Sequence, residues 1–179
     1  MNEASITRYD KVAIGFHWLI ALLIIGNFYL GAVGHELPKE IRPTYMDPHK
    51  AIGITILGLS LLRLGWRLGH RPPAFPSAIA PWQAMAAKTV HNLFYVLTIG
   101  IPLSGWIMVS AYPGSPGADF FGLATLDLPV GDSKELSGFA HEGHEIMAEL
   151  LFLLFILHVA AALKHQFVGK IALLQRMRF

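Results

Sequence analysis

The sequence contains no cysteine and little charge. The absence of cysteine excludes disulfide bonds, iron–sulfur clusters, covalent c-type haem attachment and thiolate ligation of a metal. Charged residues make up only 15% of the 179 residues, whereas 54% are hydrophobic, and the mean hydropathy is +0.49. These values exclude most soluble domains and are typical of an integral membrane protein. The nine histidines remain as the strong transition-metal ligands of the chain.

A strong excess of one charge is also missing. The formal net charge is only +2, so no nucleic-acid partner is expected. The contacts that the composition does predict are with membrane lipid.

Four segments are apolar enough to cross a bilayer, at about residues 12–33, 48–68, 88–111 and 143–165. The second and fourth segments reach the roughly 20 residues that a span needs only if His49, Arg63 and His144 are counted inside them. The sequence therefore predicts an all-α fold, an integral membrane four-helix bundle that forms a single domain over residues 1–179. The loop between the second and third spans is proline-rich and cannot be helical throughout.

The loop charges predict the orientation of the bundle. Residues 63–88 contain four Lys or Arg and no acid, and residues 164–179 contain four more and no acid. Residues 112–140 contain one lysine against four acidic residues. By the positive-inside rule, both termini and the second loop are cytoplasmic. The apolar part of the third loop is expected to lie against the outer surface of the bundle.

His144 and His158 lie fourteen residues apart in one apolar segment. Fourteen residues are just under four helical turns, so both imidazoles share one face of the helix about 21 Å apart. This distance is most of the ~30 Å hydrocarbon core. The spacing indicates two stacked cofactors rather than a single metal ion.

The predicted orientation arranges the histidines in two levels. His17 pairs in depth with His158 on the cytoplasmic side, and His49 pairs with His144 on the outer side. Each pair joins two different helices, which is the arrangement that a haem iron with two axial histidines requires. A chance match of four histidines in two levels is the less favoured interpretation, although a single histidine near a helix end is often only interfacial.

Other polar residues near these levels have weaker predicted roles. His141 competes with His144 but lies about 100° away from the face of His158. Contacts with a haem propionate or a quinone are predicted for His91, Arg63, Arg67 and His165. For the two arginines, the alternative is a charge that only sets the topology. For His165, it is an ordinary interfacial side chain.

Long stretches of the chain resemble the prokaryotic cytochrome b561 family. They are FHW within residues 12–22, DPHKAIGITILGLSLLRLGWR, AKTVHNLFYVLTIGIPLSGWIM, and HEIMAELLFLLFILHVAAALKH followed by LLQRM. The resemblance covers nearly the whole chain, including the order and spacing of all four spans. It implies a cytochrome of a bacterial inner membrane with two haem b groups, and it implies the axial ligands His17, His49, His144 and His158. The helix 3 histidine of the family, matched here by His91, is not generally a ligand.

The family resemblance implies one-electron transfer across the membrane, linked to ubiquinone. One hypothesis is an oxidoreductase whose donor on the periplasmic side is superoxide. The acidic third loop is unfavourable for an anion unless Lys39, Arg42, Lys50 or Lys134 lines the approach. The alternative is a haem-bearing membrane anchor that relays electrons from a peripheral redox partner, a dehydrogenase or hydrogenase, to quinone. A weaker third hypothesis is a divalent-metal transporter.

Overall fold

The structure is a computed structural model that describes residues 7–179, so the first six residues of the predicted domain lie outside the described part. Four long helices dominate it, and each is long and apolar enough to cross a membrane. The predicted all-α integral membrane fold is confirmed. The helices are α1 (Lys11–Glu36), α2 (Pro43–Gly69), α3 (Pro81–Ala111) and α4 (Lys134–Leu163).

Local sequence explains where the helices begin. Asp10 caps α1 by accepting a hydrogen bond from the amide of Ala13, and Ser133 caps α4 in the same way. Proline occupies the first position of α2 and α3, where its missing N–H costs no helical hydrogen bond. These polar and proline-containing first turns extend the helices beyond their apolar stretches.

Three of the predicted apolar segments therefore begin later than the helices that contain them. The segment predicted from about residue 48 lies inside α2, and His49 follows its first residue, Pro43, by six residues. His91 lies ten residues inside α3, and His144 lies ten residues inside α4. Hydropathy detects only the part of a helix at lipid depth, so it misses the polar turns that project from the membrane.

The helices pack in sequence order, α1 on α2, α2 on α3, and α3 on α4. The buried core lies between α3 and α4 and contains Leu97, Leu151 and Leu154, with Phe28 of α1 packed against it. Large apolar side chains cover the outside of the bundle, as expected of a surface that faces lipid. Examples more than half exposed are Leu22, Tyr29, Leu62, Val96, Ile146 and Leu157.

Both described chain ends meet at one end of the bundle, hereafter the termini end. After α4 the chain forms a π-helical turn (Lys164–Val168) and a 3₁₀ turn (Leu174–Met177). The buried Arg176 side chain donates to the main-chain oxygens of Thr7, Pro73 and Ala74. This one guanidinium group therefore joins the tail to the start of α1 and to the proline-rich loop, which is non-helical as predicted.

The loop between α3 and α4 forms the opposite end, hereafter the hairpin end. Residues Ala118–Phe120 (β1) and Ala124–Leu126 (β2) pair as a short antiparallel hairpin. β1 packs against α2 and α3, so the apolar part of this loop lies against the bundle as predicted. Each strand has only three residues, too few to show an alternating pattern, so neither was predictable from the sequence.

Candidate cofactor sites

Two imidazoles face each other at the hairpin end. The ring centroids of His49 on α2 and His144 on α4 are 6.1 Å apart, and their planes are inclined by 75°. An imidazole nitrogen binds a first-row metal at about 2.0–2.1 Å, so two rings on opposite sides of one ion have centroids about 6 Å apart. The observed separation is therefore the one that two axial ligands of a single metal require.

Main-chain oxygens hold both of these rings in the same way. Nδ1 of His49 lies 3.0 Å from the oxygen of Asn27, and Nδ1 of His144 lies 2.8 Å from the oxygen of Ile101. A carbonyl can only accept, so Nδ1 carries the hydrogen and donates it. Nε2 of each ring is then left with a free lone pair, which is the form that binds a metal.

Glycines make room for these two hydrogen bonds. Gly31 lies four residues after Asn27, and Gly105 lies four residues after Ile101. A Cβ atom on Gly31 would stand 2.9 Å from Cε1 of His49, and one on Gly105 would stand 3.0 Å from Cε1 of His144. The glycine one turn after each carbonyl residue has no side chain, which leaves a gap in the helix surface. Each histidine reaches its carbonyl through this gap.

The termini end holds a second histidine pair. The ring centroids of His17 on α1 and His158 on α4 are 6.3 Å apart, with planes inclined by 65°. This spacing fits two axial ligands as well as that of the first pair. His91 of α3 is also close, with its centroid 5.8 Å from that of His158.

A cation distinguishes this second pair from the first. Nη2 of Arg63 lies 3.3 Å from Nδ1 of His17, and because arginine can only donate, this Nδ1 accepts. The hydrogen of a neutral His17 ring is then on Nε2. A metal at Nε2 therefore requires the Arg63 guanidinium to turn away from Nδ1, which leaves it available for an anionic group.

The remaining candidates lie farther from the two pairs. The His141 side chain is 48% exposed, and it contacts Glu145 and Met108 and not the ring of His49. Arg67 lines a cavity of about 440 Å³ beside His91. His165 lies in the π-helical turn, half-buried, and the structure does not bring it to either pair.

Three histidines gather at the termini end, because the rings of both His17 and His91 lie beside that of His158. Within residues 7–179, no three His, Asp or Glu side chains converge closely enough to hold an ion by themselves. Two facing imidazoles suit a metal that brings its own equatorial ligands, as an iron porphyrin does. This arrangement does not favour the metal-transporter hypothesis.

Sequence reasoning missed Gly31 and the carbonyl of Asn27. A signal was present, because Gly31 follows His17 by fourteen residues and Gly105 follows His91 by fourteen residues. The interval is the one that separates His144 from His158. On α1 and α3, the position at the level of the hairpin-end pair is thus a glycine and not a second ligand.

Comparison with known proteins identifies the family of the chain. Residues 8–179 match the family described as prokaryotic cytochrome b561. The chain is 31% identical to cytochrome b561 homolog 2 of Escherichia coli strain K12, covering 95% of this chain and 90% of that protein. It is 28% identical to the probable superoxide oxidase CybB of Yersinia pestis, covering 95% of each. It is 27% identical to cytochrome b562 of Cereibacter sphaeroides, covering 94% of each.

Family membership implies haem b, which agrees with paired histidines inside four apolar helices. The chain belongs to the prokaryotic cytochrome b561 family and is a multi-pass membrane cytochrome of electron transfer.

Proposed function

We propose that this protein is a membrane cytochrome with two haem b groups, which transfers single electrons from a donor on the periplasmic side to ubiquinone. The observation that carries the proposal is the pairing of His49 with His144 and of His17 with His158, each at about 6 Å between ring centroids. The two α4 histidines are fourteen residues apart, so the pairs are separated by about 21 Å along the helix. Bound haem supplies a centre that gains and loses one electron at a time.

In this proposal, these four histidines would hold the two haem groups. His49 and His144 hold the haem nearer the periplasm, and His17 and His158 hold the haem nearer the cytoplasm. The Nδ1 hydrogen bonds at the hairpin end keep Nε2 of each ring directed away from its supporting carbonyl. Two imidazoles at each haem would leave its iron without a free position for a substrate, so this chain's residues would hold the group and leave the substrate to meet its edge.

Arg63 and Arg67 provide positive charge at the termini end. They are one turn apart on α2, and the Arg63 guanidinium lies 5.6 Å from the centre of the Tyr95 ring. Both side chains are half-buried, and a propionate placed beside them would offset the cost of holding a cation in an apolar bundle. The proposed role of Arg63 is to bind a propionate after turning away from His17.

The cavity of about 440 Å³ at the termini end suits a quinone headgroup. Its walls include Tyr9, Arg67, Lys88, His91 and Asn92 and the proline-rich loop. The polar members can donate hydrogen bonds to quinone carbonyls, and the cavity lies beside His91, whose ring contacts that of His158. A quinone bound there would lie next to His91, whose ring centroid is 5.8 Å from that of His158. His165 has no contact that favours a part in this site.

The proposed location is a bacterial inner membrane with both termini in the cytoplasm. The charge distribution supports it, because the termini end carries most of the Lys and Arg and the loop after α3 is acidic. The hairpin end is then periplasmic.

Superoxide is the proposed donor because a relative named as a probable superoxide oxidase aligns over 95% of this chain. Two of the cations that were considered for its approach have other partners. Arg42 donates to the carbonyls of His35 and Leu37, and Lys50 pairs with Asp47 at 2.6 Å. The approach of the anion therefore depends more on Lys39 and Lys134, which are exposed.

The purified chain alone provides the test. Its haem-to-protein ratio and its reduced-minus-oxidised spectrum are measured first, and we expect two b-type haems per chain. Superoxide and a soluble ubiquinone analogue are then added, and quinone reduction is followed without any partner protein. Reduction supports the oxidoreductase. A two-haem protein that stays inactive until a dehydrogenase or hydrogenase is added would favour the membrane-anchor alternative, and a colourless protein would refute both.

A further inference from the structure

The tip of the hairpin contains an unusual turn. The amide of Leu123 donates to the oxygen of Phe120 at 3.0 Å, and the two central residues, Phe121 and Gly122, have φ angles of 55° and 70°. A turn with two positive φ angles strongly prefers Asn, Asp or Gly at both positions. Phenylalanine is a costly choice there, so its side chain is expected to gain a compensating contact.

The Phe121 ring packs edge-on against that of Phe120, with centroids 5.0 Å apart, yet the tip stays largely uncovered by protein. Phe121 is 52% exposed and Leu123 is 82% exposed. The segment FFGLATL, residues 120–126, carries no charge. Phe121 lies at the side of the first turns of α2, where it borders a cavity of about 370 Å³ that is also lined by Pro43, Thr44, Asp47, Pro48 and Asp119. The Asp119 carboxylate accepts a hydrogen bond from the Gly122 amide at 2.9 Å, so the acidic groups lie at the base of the tip and not at its apolar end. The tip therefore lies beside the bundle, with its apolar side chains facing outward.

The depth of the hairpin is fixed by its contacts with the helices. The indole nitrogen of Trp106 donates to the oxygen of Leu126 in β2 at 3.2 Å. Trp106 follows Gly105, which contacts His144, so β2 lies at the level of the hairpin-end histidine pair. Pro48, on the other side of the tip, directly precedes His49. Both contacts place the hairpin beside the membrane-spanning helices α2 and α3, close to the level of His49 and His144.

We propose that the hairpin tip, Phe121 to Leu123, inserts into the headgroup–acyl boundary of the lipid leaflet at the hairpin end. Tryptophan and phenylalanine at this depth are typical of the aromatic belt of membrane proteins. Leu103 lies one turn from Trp106 on the same side of α3 and is 39% exposed, so lipid-facing apolar surface reaches the part of α3 to which β2 is bonded. This continuity favours lipid over a second protein as the group that covers the tip.

The absence of cysteine makes a direct test simple. Leu123→Cys introduces the sole thiol, to which an environment-sensitive fluorophore is attached, and the protein is placed in phosphatidylcholine nanodiscs. Quenching by a lipid that carries a nitroxide near its headgroup is compared with quenching by iodide in the water. Leu157→Cys on the lipid-facing side of α4 and Asp132→Cys in the exposed loop serve as the membrane and water controls.

We expect the label at position 123 to be quenched by the nitroxide lipid and protected from iodide, as at position 157. Quenching by iodide to the extent seen at position 132 would overturn the proposal. Protection from both quenchers would also overturn it, because the tip would then be covered by protein.

A second substitution tests the role of Phe121 itself. Phe121→Asn places a residue that the turn prefers, so the hairpin should remain folded, whereas the aromatic anchor is lost. In the Leu123→Cys background, iodide quenching should rise and lipid quenching should fall. Unchanged quenching in this variant would show that Phe121 does not hold the tip in the membrane.

Discussion

Gly105 contacts the imidazole of His144 so closely that a methyl group on this glycine would stand 3.0 Å from the Cε1 and Nδ1 atoms of the ring. The contact allows Nδ1 of His144, on α4, to reach the oxygen of Ile101, which lies on α3 with Gly105. Gly31 and Asn27 of α1 hold His49 of α2 in the same way. The hairpin-end site is therefore built from two identical supports on different helices, each with a carbonyl and a glycine one turn later.

Replacing either supporting glycine should weaken the hairpin-end haem. In Gly31→Ala or Gly105→Ala, the new methyl group displaces the imidazole from its carbonyl, and loss of such a supporting contact typically weakens binding by about 10- to 100-fold. Haem retention during dilution in detergent measures the effect. Gly26→Ala is the matched control on α1, because nothing lies near its added methyl group. Equal haem retention in Gly31→Ala, Gly26→Ala and the parent would contradict the proposed support.

The choice between His141 and His144 can be tested by haem content. His144→Ala should remove the hairpin-end haem and leave the other, because the His144 ring lies 6.1 Å from that of His49. His141→Ala should keep both haems, because its half-exposed ring contacts Glu145 and Met108 instead. The haem-to-protein ratio and the difference spectrum of both variants decide this. Loss of one haem in His141→Ala would mean that the wrong histidine was chosen.

At the termini end, His158 has two candidate partners, because the rings of both His17 and His91 are close to it. His17→Ala should remove the haem at this end, whereas His91→Ala should retain it and slow quinone reduction, because His91 borders the cavity proposed for quinone. Haem content and single-turnover quinone reduction separate the two roles. If His91→Ala loses haem and His17→Ala keeps it, then His91 and not His17 is the partner of His158 at this haem.

The cap of α1 gives the protein a pH-dependent contribution to stability. The hydrogen bond from the Ala13 amide holds the pKa of Asp10 below its ordinary value of 3.8, and the Trp66 indole adds to this effect. A carboxyl group with a lowered pKa stabilises the fold above pH 3.8, and this stabilisation is lost as the pH falls below that value.

Asp10→Ala should therefore cost about 1 kcal/mol at neutral pH and less in acid. Asp10→Asn should retain most of the cap, and its stability should depend less on pH. Thermal unfolding of the three proteins between pH 7 and pH 3 measures these differences. An Asp10→Ala deficit that does not change with pH would show that the ionised carboxylate contributes nothing.

The four helices and the two histidine levels could be predicted because lipid imposes a length on apolar segments and the helix imposes a rise per residue. Spacing gives depth along a helix but not which side of it meets a neighbour. The approach of His91 to His158 and the contact of Arg63 with His17 were therefore not predictable from sequence alone. The support of His49 by Asn27 was equally hidden, because any helical residue has a carbonyl and only the fold shows which one is used.

Both histidine pairs include a residue of α4, the last of the four helices in the chain. A ribosome that has synthesised only the first three helices has made His17, His49 and His91, yet it has completed neither pair. If the pairs hold haem as proposed, capture at each site has to follow synthesis of its α4 histidine, His144 or His158, and the packing of α4 against α3. A polypeptide truncated before α4 should then enter the membrane without becoming coloured.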